Sequence, residues 1–390
     1  MASGNITPLY APEIRGNEWK YVKECLDTGW VSSAGRFVDR FEKELADYTL
    51  TKFAVATVNG TAALHTSLLV AGVLPDDEVL LPALTFVAPA NAIRYVGAWP
   101  VFIDAEPAHW QMDPGKAVEF LERDCEWRNH ALYNKITRRR VRAILPVHIL
   151  GHPVDMDPIL KAARKFDLVV IEDATESLGA KYKGRMVGNL ADIACFSFNG
   201  NKIITTGGGG MIVTNDEAWA RKAKYLTTQA KDDPVEYVHN EIGYNYRLTN
   251  LQAAVGCAQL EQLPSFIASK RRIASLYSDA LKHIPGIMTM SPASWAKSTF
   301  WLYTVLVDAK SAGAGSRALL RRLEQAGIET RPLWRPIHLN PAFRNCSQFD
   351  CAVAERLNRD ALSLPSSVGL SDESLHFVTS TIEGILQNGL

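Results

Sequence analysis

Residues 141–173, VRAILPVHILGHPVDMDPILKAARKFDLVVIED, read as strand, helix, strand. Val141–Val147 is an apolar run, Met156–Phe166 carries a helical pattern, and Leu168–Glu172 is a second β-branched run. Two apolar strands joined through a helix form a crossover unit, and such units build a mostly parallel sheet covered by helices on both faces. The alternation extends outward in both directions. Upstream, Phe53–Val58 (FAVATV) predicts a strand and Thr61–Gly72 a helix with Leu64, Leu68 and Leu69 on one face. Val79–Leu81, a helix near Ala88–Val96, and Trp99–Ile103 follow, and downstream come Ile193–Ser197 and Met211–Thr214.

The texture changes after Tyr244. A long helical pattern runs from Leu251 toward His283 and stops at Pro285 and Gly286, because proline cannot continue the ladder and glycine accepts a left-handed cap. Thr299–Val307 (TFWLYTVLV) is strand-like, and helices are expected over Ser316–Ala326, Ala352–Leu362 and Glu373–Leu386. This predicts an α/β chain of two parts: residues 1–260 as the large domain with its N-terminal helices, and residues 261–390 as a smaller α/β domain. The helices Asn17–Asp27 and Phe37–Tyr48 are expected beside that smaller domain.

The 390 residues are 47% hydrophobic and 22% charged, with 42 Lys plus Arg against 42 Asp plus Glu. That mix excludes a disordered tail and a disulfide-stapled scaffold, and the zero net charge argues against nucleic-acid or anionic-membrane partners. Met1 to Gly16 has no basic head and apolar run, so no signal peptide is expected, and no span of about 18 uncharged apolar residues occurs. A cytoplasmic protein is expected. The six cysteines lack paired spacing, which predicts free thiols and no metal site.

Three local signals carry chemistry. Lys202 lies between Phe196-Ser197-Phe198-Asn199-Gly200-Asn201 and the run Thr205-Thr206-Gly207-Gly208-Gly209-Gly210. A lysine held between a buried strand and a glycine turn is placed to form a Schiff base, although loop lysines are common. The glycine run fails the phosphate-loop spacing, and no G-x-G-x-x-G opens a helix after the first strand. Glu172 and Asp173 end a strand, where open α/β sheets form their ligand crevice. A carboxylate there pairs with the protonated ring nitrogen of a cofactor such as pyridoxal phosphate, or merely caps a following helix. Asn59-Gly60-Thr61 offers a helix N-terminus to a phosphate, or is a capping turn alone.

The three occur in the order phosphate seat, ring carboxylate, lysine. With them come GWVSSAGRFVDRFE, VNGTAAL, LPALTFVAPANAI, PVHILGHPVDMD, IEDATESLGA, FSFNGNKIITTGGGGMIVT, GYNYRLTNLQAAVGCAQLEQL, RPLWRPIHLNP and LSLPSSVGLS. Over nearly its full length the chain resembles the DegT/StrS family of pyridoxal-phosphate sugar aminotransferases, on the aspartate-aminotransferase fold. Among subfamilies it resembles the aminotransferase of the legionaminic acid pathway.

The resemblance implies roles residue by residue. Lys202 matches the lysine that binds the cofactor as a Schiff base, and Asp173 the acid paired with its pyridine nitrogen. Phe86 matches the aromatic stacked on the ring, a residue that pattern alone assigns to the core. Gly60, Thr61 and Ser197 match phosphate ligands, and Asn245 an asparagine reaching the phosphate from a partner subunit, which implies a homodimer with shared sites. Glu176 stands where many relatives have glutamine facing the cofactor's phenolic oxygen. A carboxylate there repels a phenolate unless one of the two carries a proton. Trp30, Ser32 and Ser33 resemble a segment lining the sugar site. His148 reads as a structural residue near the cofactor, and Arg331, Trp334 and His338 as a nucleotide or carboxylate grip or a plain surface loop.

The implied reaction moves an amino group from L-glutamate to a keto sugar for bacterial surface-polysaccharide biosynthesis. The first expectation is C4 of a UDP-linked 4-keto-6-deoxy-N-acetylhexosamine. The alternatives are a GDP- or dTDP-linked keto sugar, or a keto-octulosonate. A sugar dehydratase of the same family would carry histidine in place of Lys202. A non-catalytic, cofactor-binding regulator would need a DNA-binding module, for which the first fifty residues leave no room.

Overall fold

In the computed structural model, which describes residues 6–233 and 235–387, the apolar runs become one large sheet. Met1–Asn5, part of the stretch examined for a signal peptide, lie outside the described residues. The main strand order is Phe53–Thr57, Gly210–Thr214, Ile193–Ser197, Val169–Asp173, Arg140–Ile144, Glu78–Pro82, Trp99–Ile103 and Ser347–Phe349. Along this order every pairing from Ile193–Ser197 to Ser347–Phe349 is parallel and Gly210–Thr214 runs against both its neighbours, while the side hairpin Cys125–Arg128 and Ala131–Asn134 joins Arg140–Ile144 antiparallel. Leu80, Ile144 and Ile171 are fully buried because helices cover both faces of a sheet built by crossovers. The fold is that of the aspartate-aminotransferase type.

The long helix spans Asn250–Leu281, opened by a capping box between Thr249 and Gln252. It is continuous across residue 260, so the chain passes from the first sheet to the second along one helix. The second sheet is antiparallel and three-stranded: Ile287–Thr289, Tyr303–Val307 and Ala361–Leu364. Ser347–Phe349, although late in sequence, returns to the edge of the large sheet. The N-terminal helices Glu18–Thr28 and Arg36–Thr49 sit on the first half of the long helix, not beside the small sheet. Gly256 explains the fit, since a Cβ there would lie 2.7 Å from the Phe41 ring.

Two further expectations change. Thr299–Val307 is strand only from Tyr303; Phe300 takes φ 52° and the Thr299 N–H donates to the Gly151 carbonyl, turning the chain toward the first sheet. The helix expected over Ala352–Leu362 stops at Asp360, and Ala361–Leu364 is a buried strand. Among the described residues no helix is long and apolar enough to cross a membrane, and no cluster of His, Cys, Asp or Glu converges on a metal position. All six cysteines are free.

Candidate active site

The carboxyl ends of Val169–Asp173 and Ile193–Ser197 open beside the N-terminus of helix Gly60–Val70. Strand alternation sends Glu172 and Asp173 to opposite faces. Glu172 is wholly buried and accepts from the N–H groups of Gly188, Leu190 and Ala191 at 2.8–2.9 Å. His148 Nδ1 accepts from the Val154 N–H at 3.0 Å, so the ring hydrogen sits on Nε2 and points to Glu172 Oε2, 3.1 Å away. Both side chains are structural clamps beneath the site.

Asp173 faces the cavity. No helix follows it; Oδ1 accepts from the Thr175 N–H at 3.1 Å across a turn, which sets aside the helix-cap reading. Burial pushes its carboxyl above the usual range, opposed by hydrogen bonds from Thr175 and by the charge of Lys202.

Lys202 leaves the sheet after Ser197 on a tight turn, its N–H donating to the Asn199 carbonyl at 3.0 Å. Its Nζ lies 3.7 Å from Glu176 Oε1 and 4.3 Å from the centre of the Trp301 ring. Its carbonyl accepts from the Tyr10 hydroxyl, and the Trp301 indole N–H donates to the Asn201 carbonyl at 2.6 Å. The other Glu176 oxygen accepts from the Leu150 N–H at 2.9 Å. Burial raises the Glu176 carboxyl to about 7, with Lys202 pulling it down and Asp173 pushing it up. The proton that a carboxylate facing a phenolate would require is therefore available near neutral pH.

The opposite end is a seat for an anion. Asn59 caps helix Gly60–Val70 by accepting from the Ala62 N–H at 2.8 Å, and the first N–H groups of a helix have no carbonyl partner within it. The hydroxyls of Thr61 and Ser197 line the same end, and neither makes a hydrogen bond with the described residues. Gly60 keeps the cradle open: a Cβ there would lie 2.8 Å from the Ser197 Cβ. Gly210 serves the adjoining pairing, since its Cβ would meet the Asn59 carbonyl at 2.5 Å. Phe86 is 53% exposed at the cavity wall, so it is not the core residue that pattern alone suggests.

These groups enclose a cavity of about 260 Å³. Of the residues singled out in the sequence, it brings together Asn59, Gly60, Thr61, Phe86, Asp173, Glu176, Ser197, Lys202 and Trp334. Sequence reasoning missed Thr175 and Trp301; the aromatic excess of TFWLYTVLV was the available signal for Trp301. The remaining candidates lie elsewhere in this subunit. Asn245 is exposed on a segment bridged to Thr228. Trp30 is exposed, and Ser32 joins the same loop, which Asn250 ties through the Trp30 and Ser32 carbonyls. Ser33 borders a separate depression with Lys224 and Arg247. Arg331 turns to Glu329 at 2.6 Å, and His338 faces Glu355 at 3.1 Å.

The profile of the DegT/DnrJ/EryC1/StrS aminotransferase family matches residues 12–383. The chain is 40% identical to the GDP-perosamine synthase of Caulobacter vibrioides over 96% of this chain and 97% of that protein. It is also 40% identical to the GDP-perosamine synthase of Escherichia coli O157:H7, again over 96% and 97%. The crystal structure of S. venezuelae DesV in complex with a ketimine intermediate is similar with a TM-score of 0.85 and 30% identity, covering 95% of this chain and 94% of DesV.

Proposed function

The chain belongs to the DegT/DnrJ/EryC1/StrS aminotransferase family, and from that membership we propose that it moves the amino group of L-glutamate to a GDP-linked keto sugar. It is a pyridoxal-phosphate-dependent sugar aminotransferase. The observation that carries the chemistry is one cavity holding a lysine amine, a buried acid and an anion seat. The hydroxyls of Thr61 and Ser197, unpartnered among the described residues, and the space that a Gly60 side chain would fill, fit the phosphate of the cofactor. Lys202 would hold the cofactor through its amine, Phe86 would cover its ring, and Asp173 would face its ring nitrogen. When bound, the cofactor supplies an electron sink for the carbanion left when the amino acid loses its Cα proton.

The chain's own groups divide the remaining work. Burial disfavours a charge on Asp173, and a cationic ring nitrogen facing it would supply the counter-charge that keeps it a carboxylate. Lys202 Nζ takes the proton from the amino-acid Cα and returns it on the other side of the transfer. Trp301, 3% exposed, closes the cavity behind that amine and keeps water from it. Glutamate leaves as 2-oxoglutarate, and the keto sugar then receives the nitrogen by the same steps reversed.

Two relatives at 40% identity with GDP in their names favour a GDP-linked acceptor over the UDP-linked one that the subfamily resemblance implied. Six free thiols, five of them buried, support a cytoplasmic enzyme. The deciding assay presents GDP-, UDP- and dTDP-linked 4-keto sugars and a free keto-octulosonate with glutamate as donor. The highest kcat/KM is expected with the GDP-linked sugar, and a preference for any other sinks that choice while leaving transamination intact.

We also propose a homodimer whose sites take Asn245 from the neighbour. Asn245 is exposed and outside its own cavity, as a residue serving a second subunit must be. Mixed Lys202→Ala and Asn245→Asp subunits should regain activity beyond either alone, because one site in each hybrid inherits both intact residues. No gain on mixing counts against shared sites.

A further inference from the structure

Glu176 is the cavity acid to which the reaction above gives no task. Its side chain is 3% exposed, and both oxygens are accounted for: Oε2 by the Leu150 N–H at 2.9 Å, Oε1 by Lys202 Nζ at 3.7 Å. The titratable groups facing it are Lys202, from the turn after Ile193–Ser197, and Asp173, from the end of its own strand. A carboxylate withdrawn from water is costly unless a cation stands beside it. Lys202 is the cation in reach, so the ionisation of one is tied to the charge of the other.

We propose that Glu176 is the switchable counter-charge of Lys202, ionised while the lysine amine carries a proton and protonated once that amine is discharged. The exchange balances within the pair. The proton leaves Nζ, the electron pair stays on nitrogen, and the proton binds Oε1; the reverse step restores ammonium and carboxylate. The pair is neutral in both arrangements, so the closed cavity changes no net charge as Lys202 gives up or takes on a proton. The carboxyl level of about 7 supports this, since it places both forms of Glu176 within reach at neutral pH. The inference rests on Lys202 being the lysine that holds the cofactor.

The test reads the carboxyl itself. Infrared spectra of the full-length chain freed of cofactor are recorded against pH, with the protonated-carboxyl band assigned by its loss in Glu176→Gln. In Lys202→Met the cation is gone, and the midpoint should rise by at least ~1 unit, the lower range for an opposite charge at this separation. In Lys202→Arg the cation is retained, and the midpoint should stay close to the parent's. An identical midpoint in all three proteins is what a carboxyl held by Leu150 alone would give, and it overturns the proposal. If a lysine variant does not fold, the glutamate half-reaction of Glu176→Gln, which keeps an acceptor for the Leu150 N–H, takes its place. It should lose an inflection near pH 7 that the parent shows, and an unchanged profile again overturns the proposal. The carboxyl spectra need no cofactor. Failure of Lys202 to bind pyridoxal phosphate covalently would therefore overturn the reading beneath the inference while leaving the charge coupling measurable.

Discussion

Lys202 and Lys270 are both withdrawn from bulk water, and their surroundings differ in kind. Lys202 has an acid at 3.7 Å, an aromatic face at 4.3 Å and an open cavity in front of it. Lys270, 1% exposed on the long helix, donates to the carbonyls of Trp301, at 2.8 Å, and Ser366, and lies 4.4 Å from the centre of the Tyr10 ring. No carboxylate pairs with it among the described residues. The two lysines share neighbours: Trp301 turns its ring to Lys202 and its carbonyl to Lys270, while Tyr10 turns its ring to Lys270 and its hydroxyl to the Lys202 carbonyl. A lysine beside an acid and a cavity can exchange its proton. A lysine sealed by carbonyls cannot, and serves as a tether between the N-terminal segment, the small sheet and the site.

The comparison breaks most sharply at Lys202. Lys202→Ala should lose covalent cofactor and essentially all transaminase activity, read by absorbance of the purified protein and by glutamate turnover. Turnover at the parent rate would mean that another amine does the chemistry. Lys270→Met should retain the covalent band, because the amine it removes does not face the cavity.

Next in size is Asp173→Asn. An amide cannot hold a cationic ring nitrogen by charge, and the single-turnover reaction with glutamate should slow by at least ~100-fold, the lower range for removing one electrostatic stabiliser. Glu172→Gln, one residue earlier on the opposite face, should act on stability instead. It replaces one acceptor oxygen among three N–H groups and the His148 ring with an amide donor, costing roughly 1–3 kcal/mol. Near-normal single-turnover rates in Asp173→Asn would show that the two acids are alike.

That pair also shows how far sequence reaches. Strand alternation separates Glu172 from Asp173 once the strand is known, but which face holds the cavity depends on partners as distant as Gly188 and Val154. The parallel sheet was legible because its strands are apolar on both faces and long enough to read. Ser347–Phe349 was not: three polar and aromatic residues carry no period, and only the exposed edge of Trp99–Ile103 makes them a strand. Gly60, Thr61, Asp173 and Lys202 stand at junctions between regular elements, where turn residues leave a signal. Lys270 leaves none and Trp301 only the aromatic excess of its run, since a lysine on a helix and an aromatic in an apolar stretch have ordinary readings until tertiary packing brings them together.

The smallest expected effect concerns Lys270 and pH. Burial holds its amine well below the ordinary lysine range. Between that lowered value and about 10.4, the unfolded chain binds a proton that the folded chain does not, so this group makes stability rise with pH across the window. Above it the amine is neutral in both states and contributes through its two hydrogen bonds alone. Lys270→Met removes the pH-dependent term and leaves the Trp301 and Ser366 carbonyls without a donor, at roughly 1–3 kcal/mol. The variant should therefore lose more relative to the parent near the top of the window than at neutral pH, where discarding a poorly solvated amine offsets part of the loss. Tyrosines and cysteines titrate in both proteins and cancel in the difference, and Tyr10, pushed up by burial, stays neutral throughout. Denaturant unfolding of both proteins at neutral and alkaline pH measures it. A parent-minus-variant difference that is flat or falls with pH would mean that Lys270 keeps its charge inside the protein, and its contrast with Lys202 would have to be redrawn.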